Sequence, residues 1–277
     1  MPKLQNAIGT TEEGEWPSIF AFCPVYGRVQ CLADTLYNWE RMIYPGKREL
    51  LIYDDSGQYM GLKTKLPETV TMISTPRRFA CFGEKQNAAC SFSTEDQEML
   101  VVIEDDDYLA PWTLLAHADA FKRGVLSVPR HFIFEQKHGR LDMSFNKSYE
   151  AAHAGWAYSR HAFRLVGGYP WIDVPTDHHL LHRLRRAGAA PTDGTLNFPP
   201  YLVNRLVSTK HPHLSRAWGS DNAWRMAGRD IKCPPVEYLP EPDLSRDYEA
   251  EIIELCKIPS EHQDHGWKEF FSTYSSP

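Results

Sequence analysis

Four short apolar runs constrain this chain more than anything else in it: SIFAFCPVY (18–26), RELLIYDDSGQ (48–58), TVTMIST (69–75) and MLVVIE (99–104). The first and last read as buried strands. The second is a strand that runs into acids and a turn, and the third alternates as a short strand does. Segments of helical character separate or follow them. VQCLADTLYNWERMI (29–43) repeats Leu32, Leu36, Trp39 and Met42 at helical spacing. GEKQNAACSFS (83–93) is a second helix. PWTLLAHADAFKRG (111–124) is a third, with proline at its first turn and glycine at its end. Strands alternating with helices predict an α/β fold with a mostly parallel sheet flanked by helices. In such sheets ligands sit beyond the carboxyl ends of the strands.

Later segments are less regular. VLSVPRHFIFEQ (125–136) is strand-like, and GWAYSRHAFRLVGGYP (155–170) reads as a strand, a short helix and a glycine turn. DHHLLHRLRRAG (177–188) is a helix with a glycine stop. Residues 1–16 are a polar lead-in. Beyond 205 the chain is rich in Pro, Trp and charge, an irregular tail with a helical stretch near 246–256. The expected organisation is one domain over 1–205, with a first half at 17–125 and a second at 126–205. A C-terminal extension over 206–277 packs on it.

At 277 residues the chain has room for one large domain with an appended tail. A net charge of −6 argues against a general nucleic-acid binder, although basic residues at 122–140 and 183–186 leave a local phosphate contact open. No apolar run approaches a membrane span and no signal-peptide core opens the sequence. Cysteines 23, 31, 81, 90, 233 and 256 form no CxxC pair and read as reduced thiols of a cytoplasmic protein.

Both acid clusters, Asp54–Asp55 and Glu104–Asp107, fall at strand carboxyl ends. Four adjacent acids repel one another, and something must offset that cost. A hard dication does so. Magnesium and manganese take carboxylate oxygens, often one or two of them together with substrate phosphates. The competing reading is a solvated acidic loop.

Taken in order, FCPVYGR, LLIYDDSGQ, GEKQNAA, VVIEDDDYLAP and GGYPWIDVPTDHHLLHRLRRAG resemble the motifs of GT-A glycosyltransferases, particularly glycosyltransferase family 2, over residues 18–190. The resemblance implies a GT-A (Rossmann-like) fold, and a sugar transferred from a nucleotide-diphospho-sugar, foremost a UDP-sugar, to a hydroxyl acceptor with Mn²⁺ or Mg²⁺. The turn from Pro24 through Tyr26 to Arg28 then packs around the base. Asp55 accepts a hydrogen bond from a uracil-like ring N–H, and Asp54 caps the DSGQ turn. Lys85 reaches the ribose or diphosphate, with Arg77 and Arg78 as substitutes, and Asn87 holds the loop. Within the acid run, Asp106 is the metal-binding last acid of the DxD motif, and Asp105, or Glu104 in a shifted register, meets the ribose. Asp107 is a further ligand or supports one.

The family's catalytic base is written EDxxL, and TDHHL stands in its place, with Thr176 departing from the pattern. Asp177 is the implied base, at a helix start where negative charge is favoured, and an ordinary N-cap is the competing reading. Gly168 lies in a turn that lets backbone approach the sugar. Trp156, Tyr169 and Trp171 either stack on an acceptor glycan or belong to the core. His178, His179 and His182 share a helix face but lack a zinc pattern. His211, or His213, is the implied histidine ligand of the metal.

Rival functions are a nucleotidyltransferase, whose glycine- and arginine-rich N-terminal loop is missing, and a binding module that kept the fold without turnover. A transferase acting on a modified nucleic-acid base and a glycoside hydrolase complete the set.

Overall fold

The structure is a computed structural model describing residues 16–64, 66–136, 139–144, 153–173, 175–198, 202–204 and 248–257. Its main sheet has seven strands. β1 (Ile19–Val25) lies at the centre, with β2 (Arg48–Asp54) and β3 (Val70–Ser74) parallel on one side and β4 (Met99–Val102) parallel on the other. β9 (Ala157–Ser159) follows β4 and runs antiparallel to it. Then come β6 (Leu126–Val128) and, at the edge, β10 (Pro191–Asp193). A second sheet is ordered β5 (Tyr108–Leu109), β11 (Leu202–Asn204), β7 (His131–Gln136) and β8 (Gly139–Ser144). The expected α/β architecture is therefore present.

The strands carry apolar residues on both faces, and the period of two sorts them. Ile19, Ala21, Cys23 and Val25 of β1 join Leu50 and Ile52 of β2 and Met99 and Val101 of β4 in one core. Phe20, Phe22, Leu51, Leu100 and Val102 point into the other. Helix α1 (Val29–Arg41), helix α3 (Thr113–Phe121) and the C-terminal helix α6 (Tyr248–Cys256) cover the first core. Helices α2 (Phe82–Cys90), α4 (Arg160–Leu165) and α5 (Thr176–Arg186) cover the second. Leu32, Leu36, Trp39 and Met42 are all buried, as their spacing predicts. The five cysteines among the described residues are free.

Register brings the site together. β1 pairs with β2 from Ile19–Arg48 through Val25–Asp54, and with β4 from Ile19–Met99 through Phe22–Val102. β2 ends level with β1 and β4 stops three residues short of it, at Phe22, so the chain after Val102 continues toward the edge that the loops after β1 and β2 share. β9 is the departure from a run of parallel strands. After β6 the chain builds the β7–β8 pair, and β9 then enters antiparallel to both β6 and β4. Its amino end therefore lies at the carboxyl end of β4: Gly155 N–H donates to Val102 O at 3.2 Å and Val102 N–H to Trp156 O at 2.8 Å.

His117 of α3 is fully buried and lies 2.9 Å (Nδ1) from the hydroxyl of Ser127 on β6. Burial pushes its imidazole down to about 3. Above about pH 6.5 both folded and unfolded chains hold it neutral, and it adds no pH dependence. Below that the unfolded chain takes a proton the folded chain refuses, so stability falls by roughly 1.4 kcal/mol per pH unit until pH approaches 3. Urea midpoints of the wild type and His117→Gln should differ in slope: between pH 6.5 and 5 the wild type loses about 2 kcal/mol more than the variant. Equal slopes would show that the imidazole charges within the fold.

Candidate active site

The turn after β1 carries the first cation. Arg28 is the N-cap residue of α1, and its largely buried guanidinium binds Asp105 through Nη2 and Asp106 through Nη1 at 3.0 Å. Burial works against the Arg28 charge, and the two carboxylates more than restore it. Burial pushes the Asp105 carboxyl up, with Arg28 opposing. Asp105 Oδ2 is buried and has no hydrogen-bond partner among the described residues. Much of the like-charge cost at the end of β4 is thus offset from within the chain.

Glu104 and Asp107 complete the cluster. One oxygen each from Glu104, Asp106 and Asp107 lies within 4.8 Å of the others, and among the described residues this is the one group compact enough to hold a metal ion. Oxygen-only donors of this density suit Mg²⁺ or Mn²⁺ and disfavour zinc. With an unsatisfied buried carboxylate oxygen beside it, the donor set fits a hard dication. Asp106 and Asp107, expected as ligands, are both in the group, and Glu104 joins them.

Asp54 and Asp55 divide the work at the end of β2. Asp54 accepts from Ser56 N–H at 2.9 Å, from the Ser56 hydroxyl at 2.6 Å and from the Ser74 hydroxyl at 2.7 Å, so it ties the turn. Asp55 faces the β1 loop. Its Oδ1 accepts from Lys85 Nζ at 2.5 Å and Arg78 Nη1 at 3.1 Å. Lys85 also donates to Val25 O at 2.6 Å. Burial lowers the Lys85 ammonium, and Asp55 pulls it back. Lys85 is therefore held as the buried partner of Asp55 rather than as an exposed charge. Arg78 also lies over the Tyr26 ring, 3.8 Å from its centroid. Tyr26, Arg78 and Asp55 form one continuous wall. Pro24 is a buried residue of β1 beside Tyr53 of β2.

On the other side, the loop between α4 and α5 is pinned to α2. Phe82 N–H donates to Asp173 Oδ1 at 2.9 Å, Gly83 N–H to Ile172 O at 3.0 Å, and the Asn87 amide makes two 2.9 Å bonds with the Tyr169 backbone. Gly168 has φ +69, and a Cβ there would collide with Asn87 Oδ1, so its glycine serves packing against α2. Trp156 and Tyr169 are fully buried aromatic residues of the second core, whereas Trp171 is 71% exposed. Neither buried ring presents a face to a ligand.

Asp177 is the second residue of α5. Pro175 takes the cap position and makes no side-chain cap bond, so Asp177 is not the cap. Its partly buried carboxylate lies 3.9 Å from His178 Nε2. Burial raises the Tyr169 phenol, and the charges of Asp177 and Glu104 add to this. His178, His179 and His182 are exposed. His211 and His213 lie outside the described residues.

Two features escape the sequence. His153 approaches Glu104, its Nδ1 2.9 Å from Oε1, and Arg78 stacks on Tyr26. His153 belongs to no periodic segment, and only the antiparallel entry of β9 brings it here. Arg78 stood as a substitute for Lys85; its aromatic partner left no signal.

No protein-family model matches the sequence, and no curated protein sequence matches it. Solved structures do match the fold. TarS 1–349 of S. aureus superposes with a TM-score of 0.54 at 13% identity, over 68% of this chain and 60% of that one, so the chain spans about three-fifths of that relative. The same protein in complex with UDP-GlcNAc gives 0.52 at 12% identity over 94% and 76% of the two chains. The mannosyltransferase PcManGT of Pyrobaculum calidifontis, in complex with GDP-Man and Mn²⁺, gives 0.53 at 17% identity over 95% and 76%.

Proposed function

We propose that this GT-A-fold chain is a metal-dependent glycosyltransferase that moves a sugar from a nucleotide-diphospho-sugar to a hydroxyl acceptor. One observation carries the reading. The only compact carboxylate group among the described residues stands on the same sheet edge as the Tyr26–Arg78–Asp55 wall. A nucleotide-diphospho-sugar needs both: a polar, stackable wall for the base and hard oxygen ligands for a dication on the diphosphate. The structural neighbours in complex with UDP-GlcNAc, and with GDP-Man and Mn²⁺, support a nucleotide-sugar donor and the use of a metal.

Glu104, Asp106 and Asp107 would hold Mn²⁺ or Mg²⁺, which when bound neutralises charge on the departing diphosphate. Asp55, with Arg78 and Tyr26, holds the base, and its carboxylate can accept from the ring N–H of the uridine diphosphate favoured as donor headgroup. Asp177 takes the proton of the acceptor hydroxyl as its oxygen attacks the anomeric carbon. The new C–O bond forms as the bond to the diphosphate breaks, with inversion, and the nucleoside diphosphate leaves. Trp171, exposed on a pinned loop, offers a face for an acceptor sugar. No helix among the described residues is long and apolar enough to cross a membrane.

Calorimetric titration of UDP, GDP, CDP and dTDP, each with Mn²⁺ and with EDTA, tests the reading. The expected result is tight, metal-dependent binding of UDP. Preference for another nucleotide would reassign the donor. Binding of none would remove the glycosyltransferase assignment.

A further inference from the structure

Glu104 is the least buried member of the carboxylate group, with its side chain 26% exposed, and it lies outside the reach of Arg28, which binds Asp105 and Asp106. What holds it is His153. The imidazole is buried between Trp156 and Tyr169, edge-on to both rings at 5.2 and 5.7 Å between centroids. Its Nδ1 is 2.9 Å from Glu104 Oε1, its Nε2 is 2.8 Å from the Tyr169 hydroxyl, and that hydroxyl is 2.7 Å from the hydroxyl of Tyr158.

The polarity of this chain follows from its ends. A carboxylate only accepts, so Nδ1 carries the proton and donates to Glu104. In the neutral ring Nε2 then accepts from the Tyr169 O–H, whose oxygen accepts from Tyr158. Each group has one proton to give and one lone pair to receive, and all three bonds can be satisfied in a single direction. Asn87 holds the Tyr169 backbone at both ends of its peptide groups, N–H and C=O, so the relay is anchored to α2 as well. A side chain with Glu's three rotatable bonds is thereby fixed toward Asp106 and Asp107.

We propose that His153 is a positioning residue: its imidazole, oriented by the Tyr169–Tyr158 hydroxyl relay, fixes Glu104 as an oxygen ligand of the dication held with Asp106 and Asp107. The inference rests on the proposed reading of that cluster as a metal site. It adds that the site is assembled across β4 and the antiparallel β9, and that its third ligand depends on a residue with no place in the acid run. Partners that orient a ligand in this way typically change metal affinity by about 10- to 100-fold when removed.

Mn²⁺ titration of the purified full chain, alone and with UDP, checks this with three variants. His153→Ala is expected to weaken Mn²⁺ binding by about 10- to 100-fold. His153→Asn keeps a donor near the position of Nδ1 and loses the link to Tyr169, so it should recover part of the affinity and fall between His153→Ala and the wild type. Glu104→Gln keeps the hydrogen bond and removes the charge. It should match His153→Ala, and the double variant should be no weaker than Glu104→Gln alone. Thermal melts accompany each titration, and His153→Asn serves where His153→Ala does not fold. Wild-type affinity in His153→Ala would overturn the inference, as would equal losses in a folded His153→Asn and His153→Ala. Failure of the wild type itself to bind Mn²⁺ with UDP would instead overturn the metal-site reading beneath it.

Discussion

Asp106→Ala is expected to abolish the metal dependence of nucleotide binding, lowering affinity in Mn²⁺ by about a hundredfold or more and leaving affinity in EDTA unchanged. The size follows from the role. Loss of a residue that merely orients a ligand costs about 10- to 100-fold, and loss of a ligand itself costs at least that. The selectivity follows from the surroundings. Asp106 is buried against Arg28, but Arg28 keeps Asp105 when Asp106 is removed, so no cation is left without a partner. The buried ion pair survives, and the melting temperature should move little. Calorimetry in the two buffers reads both quantities at once. Equal affinity in Mn²⁺ for variant and wild type would mean that the acids after β4 serve Arg28 alone.

That alternative has physical content, because the sequence poses a question with more than one answer. Four like charges at a strand end need an offset, and a dication is the one a reader of the sequence reaches for. The structure answers part of it with two side chains, Arg28 and His153, and ties the turn itself through the backbone. Arg28 takes Asp105 and Asp106, His153 takes Glu104, and the turn bonds Asp107 N–H to Glu104 O at 3.2 Å. A metal that binds Asp106 must compete with Arg28 or share the carboxylate with it. Without a metal, Arg28 keeps Asp105 and Asp106 paired.

The central strands and the helices that flank them were legible because burial on both faces leaves near-continuous apolar runs, and helices between them repeat at 3.6. The short strands β5, β10 and β11, of two or three residues, carry too little pattern to be read. β9 reads as a strand, but its direction is written nowhere in its own three residues: it follows from the tertiary arrangement, in which the chain between β6 and β9 places β7 and β8 in a second sheet. This single reversal is why His153 was missed, since a parallel β9 would carry it to the opposite edge. Residue type alone also could not separate Trp156 and Tyr169, which are core, from Trp171, which is exposed. Lys85 shows the same limit, because nothing in GEKQN says that its ammonium is buried on Asp55.

Asp177→Asn is expected to lower the rate of transfer by about 10²- to 10⁴-fold, the range of a lost general base, with the affinity for nucleotide diphosphate and Mn²⁺ unchanged. The substitution preserves shape and a hydrogen-bonding oxygen but removes the lone pair that takes a proton. Structure keeps the two readouts apart. Asp177 takes no part in the carboxylate group at β4 or in the Asp55 wall, and it makes no capping bond for α5, whose cap is Pro175. Loss of charge in the first turn of a helix costs stability by roughly 0.3–1 kcal/mol, too little to unfold the chain. A folded variant that binds nucleotide and fails to transfer the sugar would identify the base. Full transfer by the variant would move that role to another residue, and loss of nucleotide binding would show that Asp177 supports the donor site instead. The field of Asp177 reaches the Tyr169 hydroxyl, which also feels Glu104. Asp177 nonetheless stands apart from the Glu104–Asp106–Asp107 group, so the two variants should fail in different assays.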